Sequence, residues 1–267
     1  MNDDFSESNL QSVGRLAAFR YRDFRLFWLS LFTSNIGTWM QMTAVNWLLY
    51  KLTKSPFQLG INGLFRSVPA IALGLFSGAL ADRYDRKKLL LTTQTLPGLL
   101  ALSLGLLDHS ENIRPWYIYT ITFLSAAVGS CDGPARQALF PSLIPREVLP
   151  NAVALNSILW KGAALLGPML GGIAISLIGT SGAFYANAAS FLAVILALMM
   201  MRQHAVPLRQ SRHIVGEMKA GLSFVYSQNV ILGVIIMGAT TSVFGLDNAM
   251  LTIFSSDVLP VGAHGFG

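Results

Sequence analysis

A short charged segment between two long apolar runs is the feature that most restricts the fold of this chain. Residues 58–81 are almost wholly apolar, and residues 89–107 carry no charged side chain. The segment between them holds four basic and two acidic residues, namely Asp82, Arg83, Asp85, Arg86, Lys87 and Lys88. Because ~20 apolar helical residues cross a hydrocarbon core, each flank is long enough to span a bilayer. The pattern therefore predicts a transmembrane helical hairpin with a basic cytoplasmic loop.

The composition excludes a soluble domain. The 267 residues are 53% hydrophobic and only 12% charged, whereas about 25% of the residues of soluble domains are charged. A soluble chain with so little charge could not cover its surface, but a protein surrounded by lipid does not need to. The single cysteine, Cys131, excludes an intramolecular disulfide and a thiolate metal cluster. We therefore expect an integral membrane protein.

The hydropathy pattern divides the chain into four parts with seven spans. Residues 1–23 are predicted to form a cytoplasmic tail, 24–201 a bundle of six transmembrane helices, and 202–227 a cytoplasmic linker. The last part, residues 228–267, is predicted to hold a seventh span and the outer segment that follows it. The seven spans are predicted near residues 24–50, 58–81, 89–107, 116–131, 151–178, 183–201 and 229–254. A helical stretch is expected at 137–150, and turns are expected at 51–57 and 179–182.

The distribution of basic residues predicts the orientation in the membrane. With the N-terminus inside, fourteen of the 19 lysine and arginine residues fall in inner segments and three fall in outer turns. Such an excess is what the positive-inside rule requires of cytoplasmic segments. It also accounts for the net charge of +6 without a nucleic-acid partner. We therefore expect a multi-pass protein of the plasma (inner) membrane with a cytoplasmic N-terminus.

The charged loop resembles the signature loop of the major facilitator superfamily, which lies between the second and third spans of those transporters. The superfamily pattern G-x-L-a-D-R-x-G-R-[KR]-[KR] is matched at Gly78, Asp82, Arg83 and Arg86, but Asp85 stands where the pattern has glycine. The resemblance implies that Asp82, Arg83 and Arg86 latch the cytoplasmic side of the transporter shut. The alternative is a solvated loop that only sets the membrane topology.

A second segment resembles the enterobactin-exporter-like efflux branch of the superfamily. It begins at Asp132-Gly-Pro-Ala-Arg136 and continues through Pro141, Asn151 and Asn156. Because Asp132 and Arg136 lie about one helical turn apart, they can pair with each other or with the signature loop. We interpret them as part of the cytoplasmic gate, and a purely structural ion pair is the alternative.

The predicted fifth span resembles the signature of drug/proton antiporters at Gly167, Pro168, Gly171 and Gly172. It departs from that signature at Ala163, where the pattern has glycine. Small residues four apart allow helix backbones to approach closely, and proline removes a backbone donor and favours a bend. A bend that gates the transporter and a simple packing kink both fit this sequence. The second span carries a similar pair, Gly74 and Gly78.

Two charges fall within predicted spans. Lys161 lies some ten residues into the fifth span, or roughly 15 Å along the helix, where a charge costs at least ~2.5–3.5 kcal/mol. It should therefore face a water-filled cavity or a carboxylate. It is a candidate for contacting an anionic substrate or a coupling carboxylate, and the alternative is a counter-ion for an acidic residue in a missing half. Arg66 is shallower and can extend to the membrane surface.

The first span carries polar residues on one helical face, at Asn35, Thr38 and Asn46. The superfamily resemblance implies that the first and fourth spans line the transport cavity. These three residues are therefore candidates for contacting a substrate, and hydrogen bonding between helices is the alternative for each of them.

An enzymatic function is not expected. The segment Gly179-Thr-Ser-Gly182 is similar to the nucleophile motif of an intramembrane rhomboid protease, but such a serine needs a histidine base. All four histidines fall outside the predicted spans. The sequence has no phosphate-binding G-x-x-x-x-G-K-[ST] loop, and we predict neither a cofactor nor a metal site.

These features together predict an all-α polytopic bundle with the major facilitator fold, truncated to about seven of twelve expected spans. The resemblance implies proton-driven efflux of a drug or a siderophore-like molecule by alternating access between two halves. The implied partners are the lipid bilayer, the small-molecule substrate, protons and the missing C-terminal half. The alternative is a non-transporting membrane scaffold, or a remnant that lacks its second half.

Overall fold

The computed structural model describes residues 16–202, 227–228, 230–234 and 237, with only the backbone of residues 75–76 and 78–83. Within this part of the chain all regular structure is helical, as the sequence predicts. The α-helices are α1 (Arg22–Thr53), α2 (Pro56–Arg83), α3 (Arg86–His109), α4 (Pro115–Gly129), α5 (Asp132–Leu139) and α6 (Leu149–Met200). Short 3₁₀ turns cover Ala17–Arg20, Phe140–Leu143 and Arg146–Val148. Most of the predicted N-terminal tail, linker and seventh span lies outside the described residues.

Helix α6 consists of two antiparallel arms. Its backbone leaves the helical region at Gly179, where φ is 74° and ψ is 176°, a conformation that is essentially restricted to glycine. Before this point, Gly162 lies against Phe32 and Gly171 against Thr43, so the first arm runs in the same direction as α1. The second arm runs back along α1. The reversal lies within the predicted turn at 179–182.

Two hydrogen bonds define the direction of the second arm. The Asn187 side-chain amide donates to Gln41 Oε1 at 2.7 Å, and the Arg202 backbone N–H donates to Asp23 Oδ2 at 3.3 Å. The arm therefore ends near the start of α1.

The charged loop is very short because both neighbouring helices extend into it. Helix α2 ends at Arg83 and α3 begins at Arg86. The Asp85 side chain accepts a hydrogen bond from the Lys88 backbone N–H at 3.0 Å and so caps the N-terminus of α3. Asp85 is the residue that departs from the superfamily pattern. The capping bond gives this departure a local structural role.

The α4–α5 region differs from the sequence prediction. The fourth span was expected to continue through 131 into Asp132–Arg136, and a helical stretch was expected at 137–150. Instead, α4 ends at Gly129, α5 begins at Asp132, and two 3₁₀ turns follow. Pro134 has no backbone N–H to continue the hydrogen-bond ladder of α4, and Pro145 has the same effect further along. The helical structure predicted at 137–150 is therefore present, but it is divided between the end of α5, two 3₁₀ turns and the start of α6.

The apolar core forms two clusters at the two ends of the bundle. We call the end that carries the charged loop the basic end. Its cluster includes Phe24, Phe27, Leu90, Leu159 and Leu198. The cluster at the opposite end includes Leu49, Leu104, Ile118 and Phe184. Both clusters are centred on α1 and α6, which are joined by α5 and the turns after it at the basic end and by α4 at the opposite end. The most extensive helix contacts are those of α6 with α1 and α3, so these three helices form the packed side of the molecule.

Two of the described helical segments, Arg86–His109 and Arg146–Met200, are long and apolar enough to cross a membrane. Large apolar side chains also lie exposed on the outer faces of the bundle, including Leu99, Leu165 and Leu177. Extensive exposed apolar surface is unfavourable in water. It is expected on helices that face lipid.

Candidate functional site

A cavity of about 610 Å³ lies between the packed helices α1, α3 and α6 and the pair α2 and α4. Ligand-binding cavities are typically about 300–1,000 Å³, so it is large enough for a small organic molecule. Six residues that the sequence singled out contribute to its wall, namely Asn35, Thr38, Asn46, Arg66, Asp132 and Arg136. The cavity wall therefore contains residues from both the predicted substrate site and the predicted cytoplasmic gate.

The α1 wall of the cavity is polar because Asn35, Thr38 and Asn46 lie on one face of the helix. Asn35 donates from its amide to Leu31 O at 2.7 Å, and Thr38 donates from its hydroxyl to Ser34 O at 2.9 Å. The hydroxyl hydrogen of Thr38 is thus used within α1, and its oxygen lone pairs are left for other partners. Gln41, which accepts from Asn187, also lines the cavity.

Asp132 is the centre of a buried polar cluster at the basic end of the cavity. Its Oδ1 accepts hydrogen bonds from Thr93 Oγ1 at 2.9 Å and from Gln94 Nε2 at 2.6 Å. Its Oδ2 forms an ion pair with Arg136 Nε one turn further along α5. The Arg136 guanidinium also lies 5.9 Å from the centre of the Trp160 ring. One carboxylate therefore connects α5 to α3, and its partner arginine reaches α6.

The two predicted intramembrane charges occupy different environments. Arg66 lines the cavity and contacts the sulfur of Met42 on α1. Lys161 is exposed, does not line the cavity, and has no acidic partner among the described residues. A role for Lys161 towards a substrate or a carboxylate in a missing half stays a prediction.

The predicted cytoplasmic gate is only partly described. Only the backbone is described at Gly78, Asp82 and Arg83, so the contacts of the two charged side chains are not described. Arg86 donates from Nη1 to Ala138 O at 2.7 Å, close to the end of α5. The neighbouring Lys87 donates from Nζ to Met201 O at 2.8 Å, at the end of α6. Basic side chains at helix C-termini stabilise the unpaired carbonyl groups there.

The antiporter-like motif on α6 is a packing surface against α1. Gly167 and Gly171 are buried where α1 passes closest, beside Trp39 and Met40. Pro168 lies within the helix and is half-buried, and Gly172 is buried. The non-helical residue of α6 is Gly179, eleven residues after Pro168. A gating role for this motif stays a prediction.

Several cavity residues were not among the predicted site residues. They come from α2, α3, α4 and α6 and are Asn62, Thr93, Gln94, Ser125 and Asn187. Their signal in the sequence is a polar side chain within an otherwise apolar span. That signal does not distinguish a cavity residue from one that bonds within its own helix, as the hydroxyl of Ser103 does to Leu99 O.

Comparison with known proteins identifies the family. Residues 13–267 match the family described as transmembrane secretion effector. The chain belongs to this family of the major facilitator superfamily. The predicted resemblance to that superfamily is therefore confirmed, and so is the prediction of a helical membrane protein of a transport family. Membership of a transporter family also agrees with the expectation of no enzymatic function.

Curated relatives have similar sequences over about half of their own length. An uncharacterized MFS-type transporter of Bacillus subtilis, YfiS, is 27% identical over 205 residues, which cover 74% of this chain and 48% of the relative. The staphyloferrin A transporter of Staphylococcus aureus is 28% identical over 65% of this chain and 44% of its own. The enterobactin exporter EntS of Citrobacter koseri is 27% identical over 80% and 52%. The chain thus spans about half the length of the curated relatives it matches.

Proposed function

We propose that the intact protein is a secondary active transporter that exports a small molecule through alternating access, driven by the proton gradient. The observation that carries this proposal is the cavity of about 610 Å³ with a polar, charged wall inside a bundle that is apolar outside. A lipid-embedded bundle has no structural need for such a cavity, since buried polar groups without partners are costly. The names of two relatives, a staphyloferrin A transporter and an enterobactin exporter, support a siderophore-like or drug-like substrate.

The basic end is the proposed cytoplasmic gate. Contacts between helices concentrate there, from Arg86 to α5, from Lys87 to α6, and from Asp132 to α3. In the proposed cycle, Asp82 and Arg83 complete this set when the cytoplasmic side is closed. The basic residues at this end also support a cytoplasmic N-terminus.

A second half is proposed to complete the transport path. The relatives are about twice as long as the matched part of this chain, and transporters of this kind bind substrates between two repeats. Lys161 and the exposed apolar residues of α6 are proposed to face that second half. In this arrangement the cavity described above belongs to the N-terminal half.

Accumulation of fluorescent efflux substrates in cells that express the full-length gene tests this proposal. We expect lower accumulation than in cells with an empty vector, and we expect both a protonophore and Asp82→Asn to abolish most of the difference. Neutralising the Asp82 carboxylate removes its attraction for basic groups at the gate. The matched control is Glu111→Gln, which neutralises an exposed residue at the opposite end and should transport like the wild type.

Two results would contradict the proposal. Accumulation equal to that with the empty vector, across drug-like and siderophore substrates, would favour a non-transporting scaffold or remnant. Transport that is insensitive to the protonophore would exclude proton coupling.

A further inference from the structure

Four buried polar atoms on the cavity wall have no hydrogen-bond partner among the described residues. They are Arg136 Nη1, Gln94 Oε1, Asn62 Oδ1 and Ser125 Oγ, and all four residues line the same cavity. Arg136 Nε also has no hydrogen bond there, but it is in an ion pair with Asp132. Buried polar atoms in folded proteins are nearly always bonded, and each exception calls for an explanation. Because these exceptions converge on one cavity, a bound polar molecule is the explanation that accounts for them together.

The bonds that Gln94 and Arg136 already make define what they offer to such a molecule. Gln94 donates from Nε2 to the Asp132 carboxylate, which can only accept when ionised. The orientation of the amide is thereby fixed, and Gln94 Oε1 is left as an acceptor. Arg136 uses Nε towards the same carboxylate and retains Nη1 as a charged donor. The charged donor Arg136 Nη1 and the neutral acceptor Gln94 Oε1 therefore lie on either side of the Asp132 carboxylate.

The charge of the cavity favours an anion. Among the described residues that line the cavity are two arginines, Arg66 and Arg136, and one acidic residue, Asp132, so these three side chains sum to one positive charge. A cavity with walls of low dielectric constant and one excess charge attracts ligands of the opposite sign. Arginine also binds carboxylates through paired N–H groups. The remaining acceptors, Gln94 Oε1 and Asn62 Oδ1, require a ligand that can also donate hydrogen bonds.

We propose that this cavity binds a hydroxylated organic anion, with Arg136 binding its carboxylate and Gln94 and Asn62 accepting hydrogen bonds from its hydroxyl groups. Ser125 supplies a further hydroxyl that can donate or accept. This inference rests on the proposed function, since it names the chemical class of molecule that the transport cavity accepts. It is independent of the driving force and of the direction of transport.

Calorimetric titration of the purified full-length protein in lipid nanodiscs tests the proposal with three matched probes. Gluconate has a carboxylate and hydroxyl groups, hexanoate has the carboxylate alone, and sorbitol has hydroxyl groups alone, all on a six-carbon chain. We expect gluconate to bind at least about tenfold more tightly than either of the other two, because each lacks one set of partners. Empty nanodiscs correct for partitioning of hexanoate into lipid.

Variants connect the binding to the named atoms. Arg136→Gln should weaken gluconate binding by about tenfold or more, because it removes the charged donor, and it should also lower stability, because it leaves the Asp132 carboxylate without its counter-charge. Asn62→Leu and Ser125→Ala remove polar atoms that have no partner among the described residues, so both should fold and still weaken binding. Ser103→Ala, which removes an α3 hydroxyl that bonds within its own helix, is the matched control and should bind like the wild type.

Two outcomes would overturn the inference, and neither depends on transport. Equal affinity for the three probes, or no binding of gluconate, would mean that the cavity holds only water. Unchanged gluconate binding in Asn62→Leu and Ser125→Ala would place the ligand elsewhere. Because the titration uses no proton gradient, a protein that binds gluconate but does not transport would contradict the proposed function alone.

Discussion

Replacing Asp132 with alanine is expected to lower the free energy of unfolding by ~3–5 kcal/mol, because it leaves the buried Arg136 guanidinium without its counter-charge. The side chains of Asp132 and Arg136 are only 12% and 13% exposed, so water in the cavity can replace little of the lost interaction. The substitution also removes the acceptor for Thr93 and Gln94. Thermal and denaturant unfolding of the purified protein in detergent, followed by tryptophan fluorescence, would measure the loss.

The double variant Asp132→Leu with Arg136→Leu is the control for this prediction. It removes both charges together, and replacing a buried ion pair with apolar residues is often neutral or stabilising. It should therefore recover most of the stability that Asp132→Ala loses, although Thr93 and Gln94 remain without their acceptor. If Asp132→Ala unfolds at the same denaturant concentration as the wild type, the buried cluster at the basic end is not formed as described.

Gly167→Ala should be destabilising by ~1–3 kcal/mol, which is typical of overpacking in a closely packed interface. A Cβ atom on Gly167 would overlap the Cβ of Trp39 and would lie 3.0 Å from the backbone oxygen of Ile36. Neither atom is the end of a flexible side chain, so α1 and α6 would have to separate. The change would be measured as a lower unfolding midpoint in the same detergent.

Gly74→Ala is the matched control, because Gly74 belongs to the similar small-residue pair on α2. Among the described residues, no heavy atom lies within 4 Å of the position of its added Cβ. Replacing glycine with alanine in a helix without a clash is stabilising by ~0.4–1 kcal/mol. The two substitutions should therefore shift the midpoint in opposite directions. A loss of stability in Gly74→Ala as large as that in Gly167→Ala would contradict the described packing.

The features that depend on residues close in sequence could be predicted. The apolar lengths indicate the helices, and the polar face of α1 indicates a cavity because Asn35, Thr38 and Asn46 recur with the helical repeat. The pairing of Asp132 with Arg136 follows from their separation of four residues. The turn at 179–182 follows from two glycines between two apolar runs.

The features that depend on the neighbouring helix could not be predicted. The glycine pairs on α2 and α6 look alike in the sequence, yet Gly167 and Gly171 meet α1, whereas a Cβ added at Gly74 would have no atom of the described residues within 4 Å. The hydrogen bonds of Thr93 and Gln94 to Asp132 join residues 38 and 39 positions apart. The role of Asp85 in capping the N-terminus of α3 was also not predicted, because this residue was treated only as a departure from the glycine of the superfamily pattern.

The central claim is that a membrane-embedded bundle encloses a water-accessible polar cavity, and cysteine labelling tests it most directly. Cys131 is the single cysteine of this chain, so Cys131→Ser, with any cysteine beyond residue 267 of the full-length protein also replaced, provides the background. Thr38→Cys would lie in the cavity wall. Leu99→Cys would lie on the outer face of α3, where the leucine is 54% exposed and is expected to face lipid.

A charged, water-soluble methanethiosulfonate reagent is applied to membranes that contain each variant of the full-length protein. Its charge keeps it out of the hydrocarbon core, so the reaction reports water access. We expect rapid modification of Thr38→Cys and little or no modification of Leu99→Cys. Modification of Leu99→Cys as fast as that of Thr38→Cys, or an unreactive Thr38→Cys, would contradict the central claim.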